Sequence, residues 1–165
     1  KAKYMENLID SINSKFKMET SRMEIDKDMF SLTDALQEIL NTVGYDRVKI
    51  INELDAEHYY GNKLYIGRMF INLIENSLDH NESNPDIKIH LSDEENKICI
   101  HYKDNGIGMD NKSAENFMKH GATSKDNSGS HGIGFSVIKD AVTFHNGSFT
   151  VMPSETGVHF KIDLH

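Results

Sequence analysis

Three stretches of this sequence hold residue types and spacings suited to chemistry. Asn72, Glu75, Asn76, Asp79 and His80 recur at helical intervals, so at 100° per residue they share one face of a helix predicted over Asn62 to His80. Ile66, Phe70, Leu73, Ile74, Ser77 and Leu78 cover the other face. A solvated polar face is the ordinary explanation, but such faces mix Lys with Glu. Two amides and two acids at the middle instead offer hard oxygen ligands, which suit Mg²⁺. The second stretch is Asp104-Asn-Gly106-Ile-Gly108. Asp104 continues the parity of Ile98, Ile100 and Tyr102, so its carboxylate is predicted at the inner edge of a core-facing row, where it needs a partner. The exocyclic amine of adenine is a suitable donor, and the glycines would let backbone lie close to a flat base. The third is Gly129-Ser-His131-Gly132-Ile-Gly134-Phe-Ser136, glycines running into a helix, a place where amide donors and the helix dipole accept phosphate. It is neither a Walker sequence nor a dinucleotide fingerprint. Phe117 to Lys125 lies just ahead and offers the Thr123 hydroxyl and the Lys125 ammonium to the same anion.

The background in which these residues sit excludes several functions. The chain has 165 residues, enough for one ordinary domain with a real core. Acidic residues outnumber basic ones 26 to 18, for a formal charge of -8, which argues against nucleic acid as a partner. An anionic ligand would then need a metal ion, backbone N–H groups or a few placed cations. Nine His are scattered without ligand spacing, and Cys99 is the single cysteine, so neither a disulfide nor a zinc cluster is expected. A reducing, cytoplasmic setting fits, and no segment reads as a membrane span or a signal peptide. An opening Lys suggests a fragment of a longer protein.

Periodicity supplies the elements that must position these groups. Met5, Ile9, Ile12 and Phe16 alternate by four and three, a coiled-coil seam of about two heptads within residues 1–24. Lys27 to Phe30 reads as a short strand, Leu32 to Val43 as a helix ended by Gly44, and Arg47 to Asn52 as a β-branched strand. Two alternating runs, Ile87 to Leu91 and Ile98 to Tyr102, form a hairpin with Ser92 to Lys97 as its turn. Asp104 to Ser130 is predicted to be mostly loop, Gly132 to His145 a helix, and Ser148 to Met152 with Val158 to Leu164 a closing hairpin. This order points to a two-layer α/β sandwich with a mixed sheet.

In order and spacing, the helix with Asn72 and Asn76, the Asp104-x-Gly106-x-Gly108 turn, the Phe117 to Lys125 stretch and the Gly132-x-Gly134 helix start resemble the N, G1, F and G2 boxes of the ATP-binding domain of sensor histidine kinases. That family shares a superfamily with gyrase, MutL and a heat-shock chaperone. The resemblance runs from about residue 25 to residue 165. It implies a Bergerat fold with helices on one side of the sheet, holding ATP and Mg²⁺ between the N-box helix and a lid. Residues 1–24 would be the tail of a dimerisation helix.

Carried across residue by residue, the resemblance makes Asn76 the Mg²⁺ ligand, supported by Asn72, and Asp104 the reader of adenine above Gly106 and Gly108. His80, His131, Gly132 and Gly134 join the ATP-binding set, and Thr123 and Lys125 belong to the lid. Asp79 departs from the family, which often has a cation there. Hydrolytic relatives carry a Glu where Asn72 stands, so water activation is not implied. The implied reaction is transfer of the γ-phosphoryl group to a His on a separate helical domain of a homodimeric parent, and from there to a response regulator. None of the nine His here precedes Glu or Asp as that acceptor motif demands. The alternatives are a serine kinase of the anti-sigma-factor type and a nucleotide-gated interaction module of the same fold.

Overall fold

The computed structural model describes residues 10, 26–110, 112, 114–116 and 130–165, and in 130–134 the backbone only. The amphipathic seam of Met5, Ile9, Ile12 and Phe16 and the Phe117 to Lys125 stretch, with Thr123 and Lys125, lie outside the described residues.

The first helix, α1 (Leu32–Val43), begins where Ser31 accepts a hydrogen bond from the Asp34 amide at 3.2 Å. It ends at Gly44, whose φ of 70° is left-handed and whose N–H closes on Leu40. Leu32, Ala35, Leu36, Ile39, Leu40 and Val43 are its buried face, as the periodicity requires. The longest helix, α2 (Lys63–Asp79), is capped by Asn62, whose Oδ1 accepts from the Tyr65 amide at 2.9 Å. Helix α3 (Ser130–Phe144) packs on α2, which also contacts α1.

Among the described residues, seven strands accompany these helices: β1 (Asp28–Phe30), β2 (Val48–Glu53), β3 (Tyr59–Gly61), β4 (Ile87–Glu94), β5 (Lys97–Asp104), β6 (Ser148–Val151) and β7 (His159–Leu164). Five form the main sheet in the order β2-β4-β5-β7-β6, with β2 and β4 parallel and the other pairs antiparallel. The sheet is therefore mixed, with its core on one face. Ile87, Ile89, Leu91, Ile98, Ile100, Tyr102, Phe160, Ile162 and Leu164 point inward and join Phe70, Leu73, Ile74 and Ile138 of the helices in one cluster. Burying a side chain of this kind is worth about 1.5–3 kcal/mol, so this layer contact holds the domain together.

Several boundaries differ from the periodicity, each for a local reason. The β4–β5 turn is only Glu95 and Asn96, both at positive φ (45° and 67°), the backbone of a tight two-residue hairpin. It is shorter than the predicted turn of Ser92 to Lys97, so both strands run further. Strand β3 falls between two predicted elements, just ahead of the predicted helix start at Asn62. It pairs antiparallel with β1, Met29 opposite Tyr60, in a separate two-stranded sheet. Helix α3 begins at Ser130, two residues before the glycines. No helix among the described residues is long and apolar enough to cross a membrane.

Candidate functional site

The inner row of β5 ends in Asp104, 5% exposed, where the sheet runs out beneath α2. A carboxylate so placed must be compensated, and the protein does this from three elements. Ser77 of α2 donates its hydroxyl to Oδ2 at 2.7 Å. The Gly106 amide of the adjoining turn and the Val158 amide before β7 both donate to Oδ1, at 3.1 and 3.0 Å. Behind Ser77, the Tyr102 hydroxyl lies 2.7 Å from its Oγ and donates to the Leu73 carbonyl at 3.0 Å. Full burial holds the Tyr102 phenol well above its ordinary pKa, so it stays a neutral donor. The network fixes the carboxylate before any ligand arrives, and Oδ2 takes only one of these protein bonds, so acceptor capacity is left over.

Ser77 is a residue whose role the sequence concealed. Its position places it on the apolar face of α2, and it is indeed buried, yet it is the direct partner of Asp104. Val158 and Gly157 were equally hidden, since nothing in spacing connects them with a residue 54 positions away. Gly157 has a φ of 65°, and a Cβ there would stand 1.9 Å from the Asp104 carbonyl oxygen and 2.5 Å from Oδ1. Only glycine lets that turn close on the carboxylate.

The polar face of α2 is not a wet surface at its centre. Asn72 is 1% and Asn76 7% exposed, while Glu75 and His80 are half-buried and Asp79 is exposed. Asn72 turns back on its own helix, donating Nδ2 to the Arg68 carbonyl at 2.7 Å. Asn76 is different, because its buried Nδ2 has no hydrogen-bond partner among the described residues. Since amide oxygen and nitrogen are interchangeable in an assigned orientation, one polar end of this side chain is left for a ligand to satisfy. His80 caps the helix through its backbone amide, bonded to the Asn76 carbonyl at 3.1 Å.

Beyond Asp104 the chain turns on Asn81. Its Oδ1 accepts from the Ile107 amide at 2.8 Å, and its Nδ2 donates to the Ser77 carbonyl at 2.6 Å. The immediate neighbours of the two predicted glycines are therefore protein. A Cβ on Gly106 would strike the Asn81 carboxamide at 2.0 Å, and one on Gly108, whose φ is 75°, would meet the Gly157 carbonyl at 2.7 Å. The turn leaves Ile107 as an 81% exposed apolar side chain beside the carboxylate. His131 and Gly132 fall in the first turn of α3, where helical N–H groups have no partner within the helix, and Gly134 begins the next turn.

Residues 61–165 match the family described as histidine kinase-, DNA gyrase B-, and HSP90-like ATPase. Among curated proteins, the chain is 25% identical over 161 residues to the sensor histidine kinase YvrG of Bacillus subtilis, covering 92% of this chain and 28% of that protein. It is 31% identical over 99 residues to the sensor histidine kinase DpiB of Escherichia coli, covering 59% of this chain and 18% of that one. The chain thus spans less than a third of either relative. Of solved structures, the catalytic domain of histidine kinase ThkA superimposes with a TM-score of 0.68 at 21% identity, covering 86% of this chain and 95% of that one. The mycobacterial sensor histidine kinase MprB gives a TM-score of 0.68 at 17% identity, covering 84% and 96%.

Proposed function

Because this chain belongs to the histidine kinase-, DNA gyrase B- and HSP90-like ATPase family, we propose that it is the ATP–Mg²⁺-binding catalytic domain of a two-component sensor histidine kinase, which delivers the γ-phosphoryl group to a histidine on a separate helical domain of its parent. ATP binding is the property that the family carries, and the kinase relatives above support the finer reading. The observation that carries it is the buried Asp104 carboxylate, held by Ser77, Gly106 and Val158 with acceptor capacity left over.

In this reading Asp104 accepts the exocyclic amine of adenine. It is already desolvated and oriented, so binding demands little reorganisation. Gly106, Gly108 and the exposed Ile107 lie beside the base, with His80 close to the nucleotide. The start of α3 around His131, Gly132 and Gly134 receives phosphate oxygens, and Thr123 and Lys125 close over them. Asn76, whose side chain has an unmet polar end, is the residue fitted to hold Mg²⁺ through its oxygen. Asn72, bonded to its own helix, positions that turn of α2 without touching the metal. When bound, Mg²⁺ neutralises charge on the β- and γ-phosphates.

No carboxylate stands at position 72 to activate water, so the chain's own residues bind and orient rather than hydrolyse. Phosphoryl transfer rests chiefly on positioning and charge stabilisation. The domain therefore depends on an incoming imidazole, and its partners in this proposal are the helical His domain of a homodimeric parent and, through it, a response regulator.

The test is to incubate the chain with ATP, Mg²⁺ and the parent's helical His domain. Acid-labile label on that domain, lost with Asn76→Ala, is the expected result. Acid-stable label would point to a serine kinase, brisk hydrolysis by the chain alone to a hydrolytic relative, and tight ATP binding without transfer to a nucleotide-gated module.

A further inference from the structure

The face of the main sheet turned away from the helices carries a row of charge that the nucleotide reading does not use. Strand pairing sets Lys49 opposite Lys88, Lys88 opposite Lys103, and Lys103 opposite His159. Four adjacent strands thus present one line of basic side chains. Like charges directly opposite one another destabilise a sheet. Among the described residues, none of these three ammonium groups has a carboxylate within ion-pairing distance. Lys97 and Lys161 on the same face show the contrast, for they meet Asp163 at 3.2 Å and Glu94 at 3.6 Å. In a chain of formal charge -8, an unpaired lysine row is a local inversion that an anion would relieve.

The row also borders a concave space. Lys49, Lys88, Lys103 and His159, with Ser154 and Thr156 of the β6–β7 turn, line a cavity of about 800 Å³, within the range of small-molecule sites. Arg47 and Asp86 in the same wall satisfy each other at 2.8 Å. The Asp104 carboxylate is engaged by Ser77 on the other side of the sheet. Asp46 and Glu155 remain as acids along the wall, so a diffuse anionic surface meets repulsion there while a compact anion on the lysine row does not. Neighbouring strands lie about 4.8 Å apart, so the three lysines span roughly 10 Å. Flexible ammonium stems over that distance can converge on a short phosphoanhydride chain, with the two hydroxyls as further donors.

We propose that this cavity binds a small multivalent phosphate anion, a di- or triphosphate chain either free or carried by a nucleotide, centred on Lys88. The lysine row lies on the sheet face opposite the Asp104 side chain, although Asp104 borders the same cavity, and the proposal does not depend on the kinase reading.

Calorimetry with inorganic tripolyphosphate tests this, at fixed ionic strength and without added divalent cation, on protein saturated with adenosine, which offers the lysine row no phosphate. Tripolyphosphate binds the wild type, and Lys88→Gln weakens it about tenfold, the loss of one charge-assisted contact. The same substitution leaves adenosine affinity unchanged and raises the melting temperature of the free chain, because it removes the central repulsion of the row. A merely structural lysine would lower that temperature when replaced. Lys49→Gln and Lys103→Gln weaken binding in the same direction. A pyrimidine nucleoside triphosphate in parallel identifies the source: tighter binding than tripolyphosphate assigns a nucleotide, equal binding the phosphate chain alone, and both support the site. Absence of binding to adenosine-saturated protein overturns the proposal. So does indifference to all three substitutions, equal affinity for sulfate, or tighter binding of a Glu-rich peptide, which would make the row a protein-docking surface.

Discussion

The carboxylate of Asp104 is the group on which the nucleotide reading turns, and its surroundings separate two roles that sequence merges. Asp104→Asn keeps the volume but replaces an acceptor-only group by one that must also donate, opposite both a ligand amine and the Ser77, Gly106 and Val158 donors. Losing a charge-assisted hydrogen bond of this kind costs about 1.5–3 kcal/mol, so ATP affinity measured by calorimetry should fall by one to two orders of magnitude. An unchanged affinity would remove Asp104 from the site. Ser77→Ala should weaken ATP binding less, because two amides still hold the carboxylate, yet it should also lower stability by leaving the Tyr102 hydroxyl without its neighbour. Asn76→Ala belongs to a different ligand. If its unmet polar end serves the metal, Mg²⁺–ATP binding should suffer far more than binding of metal-free ADP, and equal losses would contradict that role.

The helices and strands that carry these groups were legible to the extent that each is stabilised locally. Helix α1 runs from Leu32 to Val43 as its period and its Ser31 and Gly44 caps require, and strands β4 and β5 alternate from Ile87 to Leu91 and, the buried Cys99 apart, from Ile98 to Tyr102. Asp104 was placed inward by the same parity. What remained hidden depends on contacts between distant segments. Asn62 is an example: its Oδ1 caps α2, its Nδ2 donates to the Asp26 carbonyl at 2.9 Å, and its backbone amide donates to His145 Nε2 at 2.9 Å. One residue thus joins the start of α2 to the segment before β1 and to the end of α3, which no periodicity can reveal. Asn62→Ala removes the two side-chain bonds and leaves the backbone one. It should destabilise the domain by about 1–2 kcal/mol, as loss of an N-cap does, measurable as a lower urea midpoint with an unchanged slope. Asn62→Asp should restore the cap but not the donor to Asp26. A midpoint unaffected by Asn62→Ala would show that the His145 contact alone fixes the entry to α2.

Taken together, the domain is acidic in net charge but holds several imidazoles in a state that resists protonation, and this sets how its stability responds to pH. His145 is fully buried between Asn62 and Ala141, donating Nδ1 to the Ala141 carbonyl at 2.6 Å while Nε2 accepts from Asn62. Burial lowers its pKa, and a second proton would break the Asn62 contact. On the open face of the sheet, His101 and His159 share a hydrogen bond at 2.7 Å. Burial and then Lys103 depress both, His159 to about 4, with Lys161 acting further on His101 and His101 on His159. A base whose folded pKa lies below its unfolded value of 6.5 binds fewer protons when folded, so the unfolded state gains as pH falls. The stability these groups confer is present above pH 6.5 and is lost as pH drops from 6.5 toward 4. Asp86 and Asp163, which lie below their ordinary pKa beside Arg47 and Lys97, add a further loss below about 4. The melting temperature should therefore fall steadily on acidification from pH 7 to 4.5. His159→Gln should flatten that slope, because it removes one depressed imidazole and frees His101 from the other. Nucleotide binding at Asp104 should leave the slope unchanged, since none of the three histidines touches that carboxylate. A melting temperature flat between pH 7 and 4.5, or a His159→Gln slope as steep as the wild type, would show that these imidazoles titrate alike in the folded and unfolded chain.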